Sequence, residues 1–287
     1  MKNLIKFIAA IAITASLSSC TQCANVFNSS FVGKKIIASN TYVTKNIKVD
    51  NFEKINLAGS MNVTYVQRQG SPQVEIYTSD NIVNLLDIRV ENNALCINFK
   101  KNTSVSYKKL EIKVSSENLS GVSVAGSGNF NFSKGLQTTN NFDINIAGSG
   151  NVFGNNISCK DFTISVAGSG NINTESVKCA NLETSIAGSG NLTLKGIAAV
   201  NAKSSVSGSG NASLDGHCKT ASFNISGSGD LYGSELEAEN VSASVSGSGE
   251  IKCFATSSLK ARTSGSGRIG YKGNPKLDYP PKSLYRL

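Results

Sequence analysis

The tripeptide Gly-Ser-Gly occurs eight times in this chain at a nearly constant spacing. Successive copies begin 22, 20, 20, 20, 19, 20 and 18 residues apart, and their first glycines are Gly126, Gly148, Gly168, Gly188, Gly208, Gly227, Gly247 and Gly265. A fixed period means that the chain passes through the same local shape repeatedly. A period near 20 residues with strand-like composition predicts an all-β fold, a β-solenoid whose coils have about 20 residues.

The stretch from Gly168 to Ala187 shows what one repeat contains. Its sequence, GSGNINTESVKCANLETSIA, alternates apolar and polar residues on both sides of a polar turn. A period of two predicts short strands with one buried face. One coil cannot bury its apolar face alone, so neighbouring coils must stack. The inward positions are predicted to be Ile172, Val177, Cys179, Leu182, Ile186 and either Thr184 or Ser185.

A column of asparagines follows the repeated turn and then changes into charged residues. The Asn positions are 129, 151, 171, 191 and 211, and the next three coils carry Asp230, Glu250 and Arg268. Stacked amides can hydrogen-bond from coil to coil. Two acids in adjacent coils repel unless water surrounds them, so we expect the column to be exposed there, with Glu250 pairing with Arg268.

The regular repeats occupy residues 126–270, and both flanks differ from them. Residues 40–125 alternate less regularly, although Ala58-Gly59-Ser60 resembles a degenerate turn. The 67 residues between Gly59 and Gly126 would fill about three longer coils. A continuous solenoid with irregular N-terminal coils is favoured, and a separate small β domain is the alternative. Residues 271–287 contain three prolines, which suit a cap over the last coil.

The N-terminus carries the features of an export signal. Lys2 and Lys6 precede a short apolar run that ends in Leu17-Ser18-Ser19-Cys20. The run is too short to span a bilayer. The pattern resembles the lipobox of bacterial lipoproteins, which predicts a signal peptide at 1–19, lipid attachment at Cys20 and an anchor and linker at 20–39. An ordinary signal peptide cut nearby is the alternative.

Positive charge is concentrated at the C-terminus of a chain whose net charge is +9. Residues 251–287 contain eight basic residues and a single acid, Asp278. Such a segment could contact anionic lipid or acidic glycan, but a solvated cap is the more common explanation. Nucleic acid is not an expected partner, because the chain is exported and the basic residues lack an aromatic stacking series.

The cysteines and the single histidine do not form a metal motif. There is no Cys-x-x-Cys, and His217 is the only histidine. Beyond Cys20, six cysteines remain in an oxidising compartment: Cys23, Cys96, Cys159, Cys179, Cys218 and Cys253. Three of them share one slot of the repeat with alanines, so we interpret the cysteines as small inward groups. Neither a metal nor a cofactor is expected.

Several segments resemble the putative auto-transporter adhesin, head GIN domain family. The resemblance covers about residues 45–270 and includes Asn51-Phe52-Glu53-Lys54-Ile55, the segment Ala58 to Val63, the strand Asn93 to Ile97, and the serial turns with their Asn. It implies a right-handed, single-stranded β-helix in a lipid-anchored or exported protein of the cell envelope. It implies little about activity, because no catalytic motif accompanies it.

The search for reactive groups yields few candidates. The turns lack the Lys-Ser/Thr of a phosphate loop, and eight copies would be too many for a nucleotide site. Asp230, Glu250 and Arg268 are the nearest approach to the clustered charges of polysaccharide-cleaving β-helices, although an exposed charged ladder is the simpler interpretation. Six aromatic residues follow the turns and could bind glycan where they face outward, although core packing is the more common role: Phe130, Phe132, Phe153, Tyr232, Phe254 and Tyr271.

The sequence therefore favours a non-catalytic protein tethered to the outer membrane through its N-terminal lipid. Its expected role is adhesion to, or binding of, a glycan, a protein or a surface. A polysaccharide-processing enzyme and a periplasmic structural or signalling protein are the alternatives. Surface and periplasm-facing orientations both remain open, as does a homo-oligomer, and the sequence designates no ligand-binding residue.

Overall fold

A computed structural model of the protein describes residues 35–278 and 282–287. The predicted signal peptide, the lipid-attachment residue Cys20 and most of the predicted linker lie outside the described residues. Strands make up 72% of the described chain, and its one helical element is a short 3₁₀ turn at Val83–Leu85. Within these ranges no helix is long and apolar enough to cross a membrane.

The predicted fold class is confirmed. The protein is an all-β solenoid of about eight turns, with coils of about 20 residues. Its residues group into two compact units. The first unit comprises the chain up to Gly135 together with Ile144–Asn151, and the second comprises Leu136–Asp143 and Val152–Leu287.

The first unit contains eleven complete strands. They are β1 (Ile36–Ile37), β2 (Tyr42–Lys48), β3 (Lys54–Gly59), β4 (Asn62–Gln67), β5 (Gln73–Ser79), β6 (Leu86–Glu91), β7 (Ala94–Phe99), β8 (Val105–Ser106), β9 (Leu110–Ser116), β10 (Gly121–Gly126) and β11 (Asn129–Phe132).

The irregular N-terminal region places Gly59 directly against Gly126. Strands β3 and β10 pair in parallel register, with Gly59 opposite Gly126, and β4 pairs with β11 in the same way. The prediction of three coils between these glycines is therefore wrong. The intervening chain instead forms β7 and β9 on the other edge of β3 and β4, and β6 and β5 pair antiparallel with them.

The second unit carries the regular coils. Its strands are β12 (Leu136–Gln137), part of β13 (Phe142–Gly148), nearly all of β14 (Asn151–Ser158), β15 (Asp161–Gly168), β16 (Asn171–Lys178), β17 (Asn181–Gly188), β18 (Asn191–Gly208), β19 (Asn211–Gly227), β20 (Asp230–Gly247), β21 (Glu250–Gly265), β22 (Arg268–Lys272), β23 (Lys276–Asp278) and β24 (Leu284–Arg286).

Neighbouring coils of the second unit pair in parallel, so equivalent residues form columns. Leu182 lies opposite Ala202, and Ala202 lies opposite Ala221. The predicted inward residues are buried, and Thr184 rather than Ser185 is the one that faces the core. Thr184 donates a hydrogen bond of 2.8 Å to Ser204, its neighbour in the same column. This bond satisfies two hydroxyls that would otherwise be costly to bury.

The Gly-Ser-Gly turn brings successive coils into backbone contact. The carbonyl oxygen of Gly168 accepts hydrogen bonds from the backbone nitrogens of Ser189 and Gly190, at 2.9 and 3.1 Å. A Cβ on Gly188 would lie 2.3 Å from that oxygen, and Gly188 has a φ of +131°. Both the close approach and the backbone angle exclude a side chain there.

The cysteines among the described residues follow the predicted inward pattern. Cys159, Cys179, Cys218 and Cys253 are buried free thiols, and burial raises the pKa of Cys253 to about 12. Cys96 is also buried, but it is disulfide-bonded. The inward position of Cys96 is therefore as predicted.

Two turn glycines of the first unit, Gly59 and Gly126, share a similar backbone angle but differ in how closely the neighbouring backbone approaches. Comparing their alanine variants therefore distinguishes the cost of backbone strain from the cost of a steric clash. Gly59 and Gly126 have φ values of +108° and +115°. A Cβ on Gly126 would lie 2.6 Å from the Gly59 oxygen, whereas a Cβ on Gly59 would meet nothing nearer than 4.0 Å. Urea unfolding of both Gly→Ala variants should show a loss of about 1–3 kcal/mol for Gly59→Ala from strain alone, and a larger loss for Gly126→Ala. Equal losses would mean that the close approach adds no steric constraint.

Candidate functional site

The amide ladder predicted from the sequence is present in the second unit. Asn191 donates from its side-chain amide to Oδ1 of Asn171 at 3.0 Å, and Asn211 donates to Asn191 at the same distance. The backbone nitrogen of Asn191 also donates to Asn171 Oδ1, at 3.2 Å. These bonds hold each amide in a fixed orientation on the outer side of the coils.

The charged residues extend this ladder, as the sequence predicted. Asp230 donates from its backbone nitrogen to Asn211 Oδ1 at 3.2 Å, and Glu250 donates in the same way to Asp230 Oδ1 at 2.9 Å. Arg268 lies opposite Glu250 and pairs with it at 3.2 Å. The structure thus brings all three predicted residues into one column. Glu250 is less exposed than expected, at 19%, whereas Arg268 is 67% exposed, as expected.

The Glu250 carboxylate has three partners, which together form what we call the Glu250 cluster. Its Oε1 accepts a hydrogen bond from the Tyr285 hydroxyl at 2.7 Å and lies 3.2 Å from Arg268, and its Oε2 lies 3.4 Å from Lys252. Burial favours the protonated acid, but the hydrogen bond from Tyr285 and the two positive charges outweigh burial. The pKa of Glu250 is therefore lower than usual.

Tyr285 is a member of this cluster that sequence reasoning did not identify. It lies in β24, which pairs with β22 and so reaches the last regular coil. Burial and the neighbouring Glu250 raise the pKa of Tyr285 to about 12. The Arg268 guanidinium lies 5.7 Å from the centre of its ring. No periodic signal marks Tyr285, because it lies beyond the last Gly-Ser-Gly turn.

A second outward column lies two residues further along each coil. Asn173, Thr193, Ser213, Tyr232 and Lys252 occupy successive positions in it. Phe153 has the equivalent position in β14, the strand that pairs with β16. We call these two adjacent columns of the second unit the polar face.

The polar face carries two exposed aromatic rings, Phe153 in its first coil and Tyr232 in the coil before Lys252. Phe153 is 42% exposed and Tyr232 is 40% exposed. The Tyr232 hydroxyl donates to Asp230 Oδ2 at 3.1 Å, and Lys252 Nζ lies 5.7 Å from the ring centre. The hydrogen bond to Asp230 raises the pKa of the Tyr232 hydroxyl, and burial raises it further by a smaller amount.

The other aromatic candidates have different roles. Phe130 and Phe132 are fully buried in the first unit. In the second unit, Phe254 lies 5.0 Å from Lys272 Nζ, and Tyr271 is partly buried. Core packing therefore accounts for some of the six aromatics, and outward placement accounts for Phe153 and Tyr232.

Much of the positive charge at the C-terminus is paired rather than free. Besides Lys252 and Arg268, Lys260 lies 3.8 Å from Asp278, and Lys272 lies 3.7 Å from Glu235. Such exposed pairs contribute little to stability individually, but they reduce the field that a basic segment would otherwise present. Across residues 35–278 and 282–287, no three His, Cys, Asp or Glu side chains are placed to hold a metal ion.

The Glu250 cluster generates a prediction about pH. Because its pKa is depressed by folding, Glu250 stabilises the protein above its ordinary pKa of 4.5, and that stabilisation is lost as pH falls through the lower folded value. Urea unfolding should show Glu250→Gln to be about 1–3 kcal/mol less stable at pH 7, and this deficit should shrink as pH falls below 4.5.

A matched control for this prediction is Glu175→Gln. The Glu175 side chain is 61% exposed and makes a single ion pair, with Lys195. Its loss should change stability by less than about 0.5 kcal/mol at either pH. A deficit in Glu250→Gln that stays constant from neutral to acid pH would contradict the assignment of a depressed pKa.

Comparison with known proteins identifies one family that matches most of the chain. The profile of the putative auto-transporter adhesin, head GIN domain family matches residues 51–214 and again residues 163–275. The overlap of the two matches is what a repeated sequence would produce. No protein of curated function matches the sequence significantly.

Three crystal structures are similar to this fold over most of its length. A putative lipid-binding protein from Parabacteroides distasonis is 27% identical, with a TM-score of 0.69 over 88% of this chain and 100% of the other. A putative adhesin from Parabacteroides merdae is 22% identical, with a TM-score of 0.70 over 89% and 100%. A putative adhesin from Bacteroides fragilis is 30% identical, with a TM-score of 0.53 over 88% and 95%. The chain belongs to the putative auto-transporter adhesin, head GIN domain family.

Proposed function

We propose that the protein is a non-catalytic adhesin, anchored by lipid to the outer membrane and displayed at the cell surface. The observation that carries this proposal is the polar face. It presents side chains in register over successive coils of the second unit, with exposed rings at Phe153 and Tyr232. A long and regular face suits binding to an extended partner. The family and its adhesin relatives support the same role.

The chemistry of the Glu250 cluster argues against a glycan-cleaving enzyme. An acid catalyst needs a carboxyl group whose pKa is raised toward the working pH. The pKa of Glu250 is lowered, and its oxygens are engaged by Tyr285, Arg268 and Lys252. Asp230 is likewise used, because it accepts hydrogen bonds from the Glu250 backbone and from Tyr232. The cluster is better suited to closing the end of the polar face than to proton transfer.

The proposed anchor rests on the sequence around Cys20. A small-residue stretch ends in this cysteine directly after the apolar run. An acylated Cys20 would hold the protein firmly to a membrane, since each buried methylene contributes roughly 0.8 kcal/mol.

Lipid labelling tests the anchor, with a neighbouring cysteine as the control. In cells fed radioactive palmitate, the wild-type protein and Cys23→Ala should carry label, and Cys20→Ala should carry none. Release of Cys20→Ala from the membrane fraction is expected as well. Equal labelling of Cys20→Ala and the wild type would contradict lipid attachment at this residue.

Protease treatment of intact cells tests the display. The wild-type protein should be cut while a periplasmic control protein stays protected, and cells that carry it should adhere to a test surface better than cells lacking it. If the protease cuts the wild-type protein only after the outer membrane is opened, the adhesin proposal is overturned. A periplasmic structural or signalling role is then favoured.

A further inference from the structure

The exposed aromatic side chains of the second unit share one column. Among the described residues, five large apolar side chains are exposed, and the two aromatic ones are Phe153 and Tyr232. The other three are Ile37, Val200 and Leu287. A ring exposed singly is common on protein surfaces, but Phe153 and Tyr232 lie in one outward column, where both can contact the same extended ligand.

The spacing of these two rings is set by the coils between them. The column runs from Phe153 through Asn173, Thr193 and Ser213 to Tyr232, which is four coil steps. At about 4.8 Å for each parallel strand, the rings are on the order of 19 Å apart. The repeat of an extended pyranose chain is close to this strand spacing, so one sugar would correspond to one coil.

The side chains between the rings are polar and uncharged. Asn173, Thr193 and Ser213 form the middle of the column, and Asn191 and Asn211 lie beside them. The amide of Asn191 gives one of its two N–H groups to Asn171. The ladder therefore fixes the orientation of the Asn191 amide, and the second N–H group of this amide points in a defined direction. A donor that is already oriented lowers the entropy cost of binding a ligand.

We propose that the polar face binds a linear, neutral polysaccharide whose chain lies across successive coils of the second unit. Sugar rings stack their apolar C–H faces on Phe153 and Tyr232, and their hydroxyls hydrogen-bond to Thr193, Ser213 and the Asn191 amide. This inference deepens the proposed adhesin function and rests on it, because it names the class of ligand that the displayed face recognises.

The pattern fits a glycan better than a protein or a lipid. The centre of a protein interface is rich in buried apolar contacts, whereas the centre of this face is Asn, Thr and Ser. A lipid surface would require a continuous apolar patch, and here polar coils separate the two rings. The second polar ladder of the unit, which includes Asn181, Asn201 and Thr220, has no exposed aromatic side chain among the described residues.

Oligosaccharide length provides a sharp test, because a ligand must span five coils to reach both rings. Calorimetry on the full-length protein in detergent would use three linear hexasaccharides (cellohexaose, xylohexaose and chitohexaose) and the matching trisaccharides. At least one hexasaccharide should bind about tenfold more tightly than its trisaccharide. Phe153→Ala and Tyr232→Ala should each remove most of this length advantage, an effect of about tenfold.

The matched control is Val200→Ala, since Val200 is 50% exposed but lies outside the polar face. Val200→Ala should bind the hexasaccharide with the affinity of the wild type. Thermal unfolding should show that this control, the two single aromatic variants and the double variant are all folded. Failure of every hexasaccharide to bind, or full affinity in the Phe153→Ala/Tyr232→Ala double variant, would overturn the inference.

Adhesion of whole cells distinguishes failure of this inference from failure of the proposed function. Cells carrying the double variant should adhere no better than cells that lack the protein. Undiminished adhesion by the double variant would refute the polysaccharide site while leaving the adhesin function intact. Absence of adhesion by the wild type would refute the adhesin function itself, whichever oligosaccharides bind in solution.

Discussion

The structure depends on the backbone contact between successive Gly-Ser-Gly turns. The carbonyl of most first glycines accepts two N–H groups from the next turn, as Gly188 does from Ser209 and Gly210 at 2.9 and 3.0 Å. A Cβ on Gly208 would lie 2.5 Å from that carbonyl oxygen. This contact leaves no freedom of register, because a slip by one residue would place a side chain against the carbonyl. Every column of the solenoid, inward or outward, inherits its alignment from this turn.

Fixed register converts a sequence repeat into surfaces with a regular spacing. Inward columns are buried, and in one of them Thr184 and Ser204 bond to each other between the coils that carry Ile164 and Phe223. Outward columns carry no such constraint, so their residues can change from coil to coil without disturbing the core. Phe153 and Tyr232 could therefore be placed on an otherwise polar column at little cost to folding.

The sequence predicted the features that repeat and missed those that do not. The period of the turns predicted the coil, and the Asn column predicted a ladder that Asn191 and Asn211 form. The direct pairing of Gly59 with Gly126 was missed, because counting residues cannot distinguish coils from strands that fold back antiparallel. Tyr285 was missed because only the return of the chain onto β22 brings it to Glu250. Burial of Glu250 was underestimated for the same reason.

The Glu250 cluster shows how a ladder of amides can be ended. In the middle of the unit each amide both donates and accepts, so the ladder needs no charge. Toward the last coils carboxylates replace the amides. The Asp230 carboxylate accepts the backbone N–H of Glu250, and neither it nor the Glu250 carboxylate can donate to a following residue. Arg268, Lys252 and Tyr285 then supply the missing donors. The end of the solenoid thus gains a charge-dependent closure, whereas the central coils are held by bonds that do not titrate.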